Sequence, residues 1–229
     1  MPSGISPALM ANRQTKLSAS QRGNLPELTE EEIAELESRN GAIQFNRMLE
    51  LIRQAIEPSV TFRLRPSTIS ELNALAIDGL EAAPGAYRTD RVEIVGSSHR
   101  PPPWSEVAAH VDDMCDYVNI NWDQLSALHL SAYCMWRINW IHPYSNGNGR
   151  TSRIVSYLVL CAHLRSLLPG RPTIPEMIAN SKAEYYTALE EADAGWMRSG
   201  TVDVSAMEKK LEQYLAAQLV SAIEQAAGQ

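Results

Sequence analysis

Two long apolar stretches at helical spacing, 122–140 and 150–168, flank one short corner rich in proline, glycine and asparagine. This arrangement constrains the fold more than any other feature of the chain. In the first stretch Leu125, Leu128, His129, Ala132, Trp136 and Asn139 recur at steps of three and four, the period of one helix face. Pro143 pushes His142 out of helical geometry, so the incoming helix must end there. Gly147 and Gly149 tolerate positive φ, and Asn tolerates it better than most residues. The result is a helix–loop–helix corner.

The remaining pattern is also helical. Thr29 followed by Glu30, Glu31 and Glu32 reads as an N-cap with acids in the first turn. Two helices are expected next, one through Ile33 and Leu36 and a second through Ile43, Met48, Leu49, Ile52 and Ile56, stopped by Pro58. Ser67 is expected to cap a helix carrying Ile69, Leu72, Leu75 and Ala76. Further helices are expected over 105–119, 173–193 and 204–225, the last with Val204, Met207, Leu211, Leu215, Leu219 and Ile223 in a stripe. Between 85 and 100 the pattern changes: Pro84-Gly85 signals a turn, and Tyr87 to Val95 reads as extended, closed by Gly96 and Pro101-Pro102-Pro103. The expected class is all-α with one β-hairpin. Three regions are expected: a mobile arm over 1–26, a helical domain over 27–200 with the hairpin inside it, and a C-terminal amphipathic helix within 201–229.

Composition narrows the class of function. The 229 residues are 45% hydrophobic and 21% charged, enough for a real core, and the formal charge of −7 lacks the basic footprint of a nucleic-acid binder. Cys115, Cys134 and Cys161 are odd in number and widely spaced, as buried thiols of a reducing compartment are. The most apolar run, 154–164, is too short to span a bilayer. A cytoplasmic protein without nucleic-acid or membrane partners is expected.

The corner itself carries chemistry. Successive N–H groups in a Gly/Asn loop converge into an anion-binding nest, and the next helix aims its own unpaired N–H groups into the same space. Arg150 and Arg153 lie three apart on that helix's first turn. Cations there oppose the macrodipole by about 0.3–1 kcal/mol each, so two of them need a compensating anion such as a polyphosphate. His142 is the side chain suited to accept a proton near neutral pH. An ordinary corner would have to supply the His, the Pro, the Gly and Asn residues and both arginines by accident, roughly one chance in 10⁹ per start point. A phosphoryl- or nucleotidyl-transfer site is the reading that remains.

The segment His142-Pro143-Tyr144-Ser145-Asn146-Gly147-Asn148-Gly149-Arg150…Arg153 resembles the signature of the Fic (Fido) family. The resemblance extends over about 30–200 and implies a Fic-type helical domain with a flap hairpin. It implies transfer of AMP from ATP to a Ser, Thr or Tyr hydroxyl of a target protein, with Mg²⁺ or Mn²⁺. His142 resembles the base that deprotonates the hydroxyl. Gly147, Asn148 and Gly149 resemble the hole for the α- and β-phosphates, Arg150 a phosphate clamp, and Arg153 the arginine on the γ-phosphate. Tyr144 stands where the family has Phe. Asn146 stands where it has an acidic metal ligand, leaving an amide oxygen without formal charge. Two other readings therefore accompany the first: a nucleotide-binding regulator or weakly active relative, and transfer of another phosphate-linked group such as UMP.

By the same resemblance Val92, Glu93, Ile94 and Val95 form the flap that pairs with the target, and Tyr185 and Tyr186 are candidates for adenine contact. The family's inhibitory pattern, Ser/Thr-x-x-x-Glu-Gly/Asn, finds no match: Ser67…Glu71, Thr89…Glu93 and Thr187…Glu191 are followed by Leu72, Ile94 and Ala192. Either a separate inhibitory partner protein supplies restraint, or Asn146 keeps activity low, or restraint is absent; the terminal stripe packs on its own domain or contacts another chain, as in a homo-oligomer. His129 is read as structural, and His99, His110 and His163 are assigned no role.

Overall fold

The computed structural model describes residues 27–228. The arm expected over 1–26 lies outside them. The described residues form eight α-helices: α1 (Glu30–Ala55), α2 (Pro66–Ile77), α3 (Val107–Ile120), α4 (Ala127–Ile141), α5 (Asn148–His163), α6 (Ile174–Asn180), α7 (Lys182–Ser199) and α8 (Ser205–Ala227). A short 3₁₀ turn, Trp104–Glu106, leads into α3.

The hairpin of α4 and α5 is the centre of the molecule. α5 buries 13 of its 16 residues and α4 buries 11 of its 15, so neither has a solvent face of any width. Small polar residues let them approach closely: Ser131 Oγ lies 2.7 Å from Ser156 Oγ and donates to the Ser156 carbonyl at 2.9 Å. α1 and α2 pack on the α5 side, α3 on α4, and α7 and α8 on α4 from the other direction. Trp136, Tyr157, Met48, Ile52 and Leu130 fill the interior. All three cysteines are buried free thiols, and burial raises the pKa of each.

Several expected boundaries move. The two helices expected before Pro58 are one helix of 26 residues. Thr29 caps it as read, in a reciprocal box with Glu32. The helix runs through Asn40-Gly41 because the buried Asn40 amide donates to the Asp78 carbonyl at 2.7 Å, a tertiary contact that overrides local propensity. Ser67 does not cap α2: Arg65 is the N-cap and Pro66 occupies the first turn. The helix expected over 173–193 breaks at Ser181 into α6 and α7. Thr173, boxed with Glu176, caps the first piece.

The hairpin expected over 85–100 is not formed: no strand occurs among the described residues. The backbone groups of this segment find other partners. Arg88 donates its N–H to the Pro143 carbonyl at 2.9 Å, and the Asp90 and Pro102 carbonyls accept from the Arg88 guanidinium. A turn bond from Ser97 N to Ile94 O takes another pair. The segment is an extended strap across the end of α4, with Val92 buried and Glu93 and Val95 exposed.

The terminal stripe is half used. Val204, Met207 and Leu211 are buried, but Leu219 is 38% and Ile223 70% exposed. Between them the buried residue is Gln218, which accepts from Ile174 N and donates to the Tyr157 hydroxyl.

Candidate active site

The corner between α4 and α5 is closed by local hydrogen bonds. α4 ends at Ile141, and His142 takes the left-handed conformation, φ 50° and ψ 58°, not the extended one that a following proline ordinarily favours. Asn148 bridges the loop: its Oδ1 accepts from Tyr144 N at 3.0 Å and its Nδ2 donates to Tyr144 O at 2.8 Å. Asn148 was expected among the phosphate ligands. Both ends of its side chain hold the loop, so only its backbone N–H faces that task.

Gly147, at φ 77°, is the N-cap of α5. A Cβ there would lie 2.7 Å from Ile77 Cγ2 and 2.9 Å from Asn73 Nδ2. No side chain caps α5, so the first-turn N–H groups at Asn148, Gly149 and Arg150 have no helical acceptor and point out of the helix end. Gly149 lies within the helical turn and not at positive φ. A Cβ there would meet Arg153 Nη1 at 3.5 Å, an ordinary van der Waals contact.

Arg150 and Arg153 both turn inward. Arg153 is 9% exposed, beside the phenols of Tyr185 and Tyr186, and no carboxylate among the described residues pairs with it. Arg150 meets Asn146 Oδ1 at 3.5 Å and the Glu37 carboxylate of α1 at 3.4 Å. Burial lowers the pKa of both guanidinium groups, which is the mark of cations held away from water. Lys182, at the start of α7, adds positive potential near Arg153 and Glu37. One buried and one partly buried cation thus lie beside an uncapped helix N-terminus, an arrangement chemically suited to a multiply charged anion.

His142 is 4% exposed, and burial pushes its pKa down to about 3 against the opposing effect of a hydrogen bond to the backbone of Asn139. The imidazole is therefore neutral at neutral pH and holds a lone pair for a proton. Tyr144 is a core residue, buried at 0% with its hydroxyl 3.2 Å from Ser70 Oγ.

The donor set for a metal is thin. Among the described residues no group of three or more His, Cys, Asp or Glu side chains is placed to hold an ion. Asn146 Oδ1 already accepts from Gly147 N at 2.7 Å and faces the Arg150 guanidinium. A neutral oxygen aimed at two donors fits Mg²⁺ poorly, since that ion favours carboxylates and phosphate oxygens.

Other candidates fall as follows. Tyr185 is buried, and its hydroxyl accepts from Asn139 at 2.8 Å and lies 3.3 Å from Ser152 Oγ. Tyr186 is half-buried on the same helix. His129 is structural as read, with Nδ1 2.8 Å from Glu208 and Nε2 3.0 Å from the Tyr117 hydroxyl.

Three residues that the sequence reading did not single out join the site: Glu37, Asn73 and Arg88. Asn73 on α2 donates to the Asn146 carbonyl at 3.0 Å and to Thr151 Oγ1 at 3.1 Å, and so ties the loop to the first turn of α5. A polar residue beside Leu72 on an apolar stripe was its one legible signal. Glu37 and Arg88 gave none.

Comparison with known proteins finds relatives of one family. Residues 63–160 match the sequence model of the Fic/DOC family. Protein adenylyltransferase fic-1 of Caenorhabditis briggsae is 30% identical over 122 residues, covering 53% of this chain and 22% of that protein. Protein adenylyltransferase Fic of Drosophila willistoni is 29% identical over 142 residues, covering 61% and 26%. The matches thus span about a quarter of the length of these relatives. In structure, a Fic-domain signaling protein from Bacteroides thetaiotaomicron superposes with a TM-score of 0.67 at 23% identity, covering 85% of this chain and 75% of that one. Fic-1 of Caenorhabditis elegans superposes at 0.63 with 18% identity, covering 89% and 54%.

Proposed function

From the premise that residues 63–160 form a Fic/DOC-family domain, we propose that the protein transfers AMP from ATP to a hydroxyl side chain of a target protein and releases pyrophosphate. One observation carries this reading: the buried Arg153 and the partly buried Arg150 lie at an uncapped helix N-terminus, beside an imidazole that burial keeps neutral.

The chemistry follows from these groups. The triphosphate lies on the N–H groups of Asn148, Gly149 and Arg150, with the two guanidinium groups neutralising its charge. His142 takes the proton of the incoming hydroxyl as its oxygen attacks the α-phosphorus. The bond to the bridging oxygen breaks on the opposite side, and pyrophosphate departs into the same nest, where charge gathers in the transition state. Asn146 would offer Mg²⁺ or Mn²⁺ at most one neutral oxygen, and a metal held chiefly by the phosphates would supply charge screening. Arg88 and His99 tie the strap to this corner, and pairing of a target segment with the strap residues Val92, Glu93, Ile94 and Val95 between them would bring its hydroxyl towards His142.

The engagement of Asn146 with Arg150 favours one second reading, a nucleotide-binding regulator that turns over slowly. Incubation with α-labelled ATP, Mg²⁺ or Mn²⁺ and a cell extract separates the two. Label that vanishes in His142→Ala supports the transferase. ATP binding without label supports the regulator. Label from UTP alone overturns the choice of AMP.

A further inference from the structure

The C-terminal end of α4 leaves four backbone carbonyls without helical partners, and it is here that His142 is placed in a left-handed conformation. For a residue other than glycine that conformation is strained, so it persists only where surrounding bonds determine it. The bonds come from the strap. Arg88 Nε donates to the His142 carbonyl at 2.8 Å, and Arg88 Nη2 donates to the Ile141 carbonyl at 3.3 Å. The N–H of Arg88 holds the Pro143 carbonyl at 2.9 Å. His99, at the other end of the strap, holds the Trp140 carbonyl through Nε2 at 2.8 Å. Four consecutive carbonyls, 140 to 143, are thus held by two strap residues.

Arg88 is 4% exposed, and all of its side-chain hydrogen bonds go to main-chain carbonyls: Asp90 and Pro102 of its own segment, Ile141 and His142 of the catalytic corner. A guanidinium buried against carbonyl dipoles at a helix C-terminus sits where the macrodipole favours a cation. Its fork shape matters. Nε and Nη2 reach two successive carbonyls at once, which the single ammonium of a lysine does not do.

We propose that Arg88 is a positioning residue for His142: by fixing the main chain on both sides of the imidazole it sets the direction of the ring, and by holding the strap with the same guanidinium it ties the target-docking backbone to the base. This rests on the reading of His142 as the base, so the test includes a measurement that does not depend on turnover.

The variants are Arg88→Lys and Arg88→Gln. Three quantities are read for each: ATP affinity by calorimetry, the maximum rate and half-saturating ATP for labelling extract proteins from α-labelled ATP, and the His142 ring resonances by NMR, identified by their loss in His142→Asn. The expected result is ATP affinity within about twofold of wild type and a maximum rate reduced about 10- to 100-fold, the scale on which small misplacements act. Half-saturating ATP is unchanged and the His142 resonances shift or broaden in both variants. A wild-type rate in Arg88→Lys, or unmoved His142 resonances, overturns the proposal. So does loss of helical signal in both variants, because Arg88 would then serve folding and not position. If wild type itself transfers no nucleotide, the resonances still decide the role of Arg88, and only the transferase reading fails.

Discussion

Glu37 reaches from α1 to Arg150 on α5, with Oε1 3.4 Å from Nη1. If Arg150 binds phosphate as proposed, this acid on the first helix competes with the nucleotide for it.

Replacing Glu37 by Gln should therefore tighten ATP binding. The Glu37 side chain is 36% exposed, so the pair is worth at most about 1 kcal/mol, which corresponds to roughly a fivefold change in affinity. Calorimetric titration of ATP at constant ionic strength checks this. Equal affinities for wild type and Glu37→Gln would show that the carboxylate moves aside without cost.

Asn146→Asp places a charge where an amide oxygen now accepts from Gly147 N and Arg150. A carboxylate there supplies the ligand that Mg²⁺ prefers, and transfer at limiting Mg²⁺ should rise several-fold. Labelling across a Mg²⁺ titration reads this directly, and superimposed curves for the two proteins would dismiss the metal role of position 146. Intact mass should accompany the wild-type assay, because Asn146-Gly147 deamidation yields the same acid.

The pKa of His142 gives a signed prediction. Folded it lies at about 3, and unfolded it returns to the ordinary value near 6.5. Below pH 6.5 the unfolded chain takes up a proton that the folded chain refuses, so stability falls as pH falls, by up to about 1.4 kcal/mol per pH unit from this group. Urea midpoints at pH 7 and pH 5 should show a larger loss for wild type than for His142→Asn. The acid limb of kcat/KM for the free enzyme should likewise lie below pH 5; a limb near 6.5 would mean an imidazole in contact with water.

Two glycines should respond in opposite directions. Gly147→Ala meets positive φ and two close neighbours, Ile77 Cγ2 and Asn73 Nδ2, and should cost about 2 kcal/mol or more. Gly41→Ala lies inside α1 with nothing within 4 Å of the new Cβ and should stabilise by about 0.5–1 kcal/mol. Thermal midpoints of the pair test both at once.

The sequence by itself determined the corner. The proline that ends α4, the glycine that starts α5 at positive φ, and the arginines that follow it act within one turn of their own position, so their consequences are local and readable. The Thr29–Glu32 box and the burial of Cys115, Cys134 and Cys161 were legible for the same reason. Tertiary structure decided what depends on residues distant in the chain. Asn40 keeps α1 continuous through a carbonyl 38 positions away. Arg88 draws the expected hairpin into a strap by bonding carbonyls more than 50 positions on. Glu37 meets Arg150 only because α1 packs on α5. Hydrogen bonds and charges are short-ranged and carry no mark of their partner in the chain, so such pairings exist only once packing has brought the elements together.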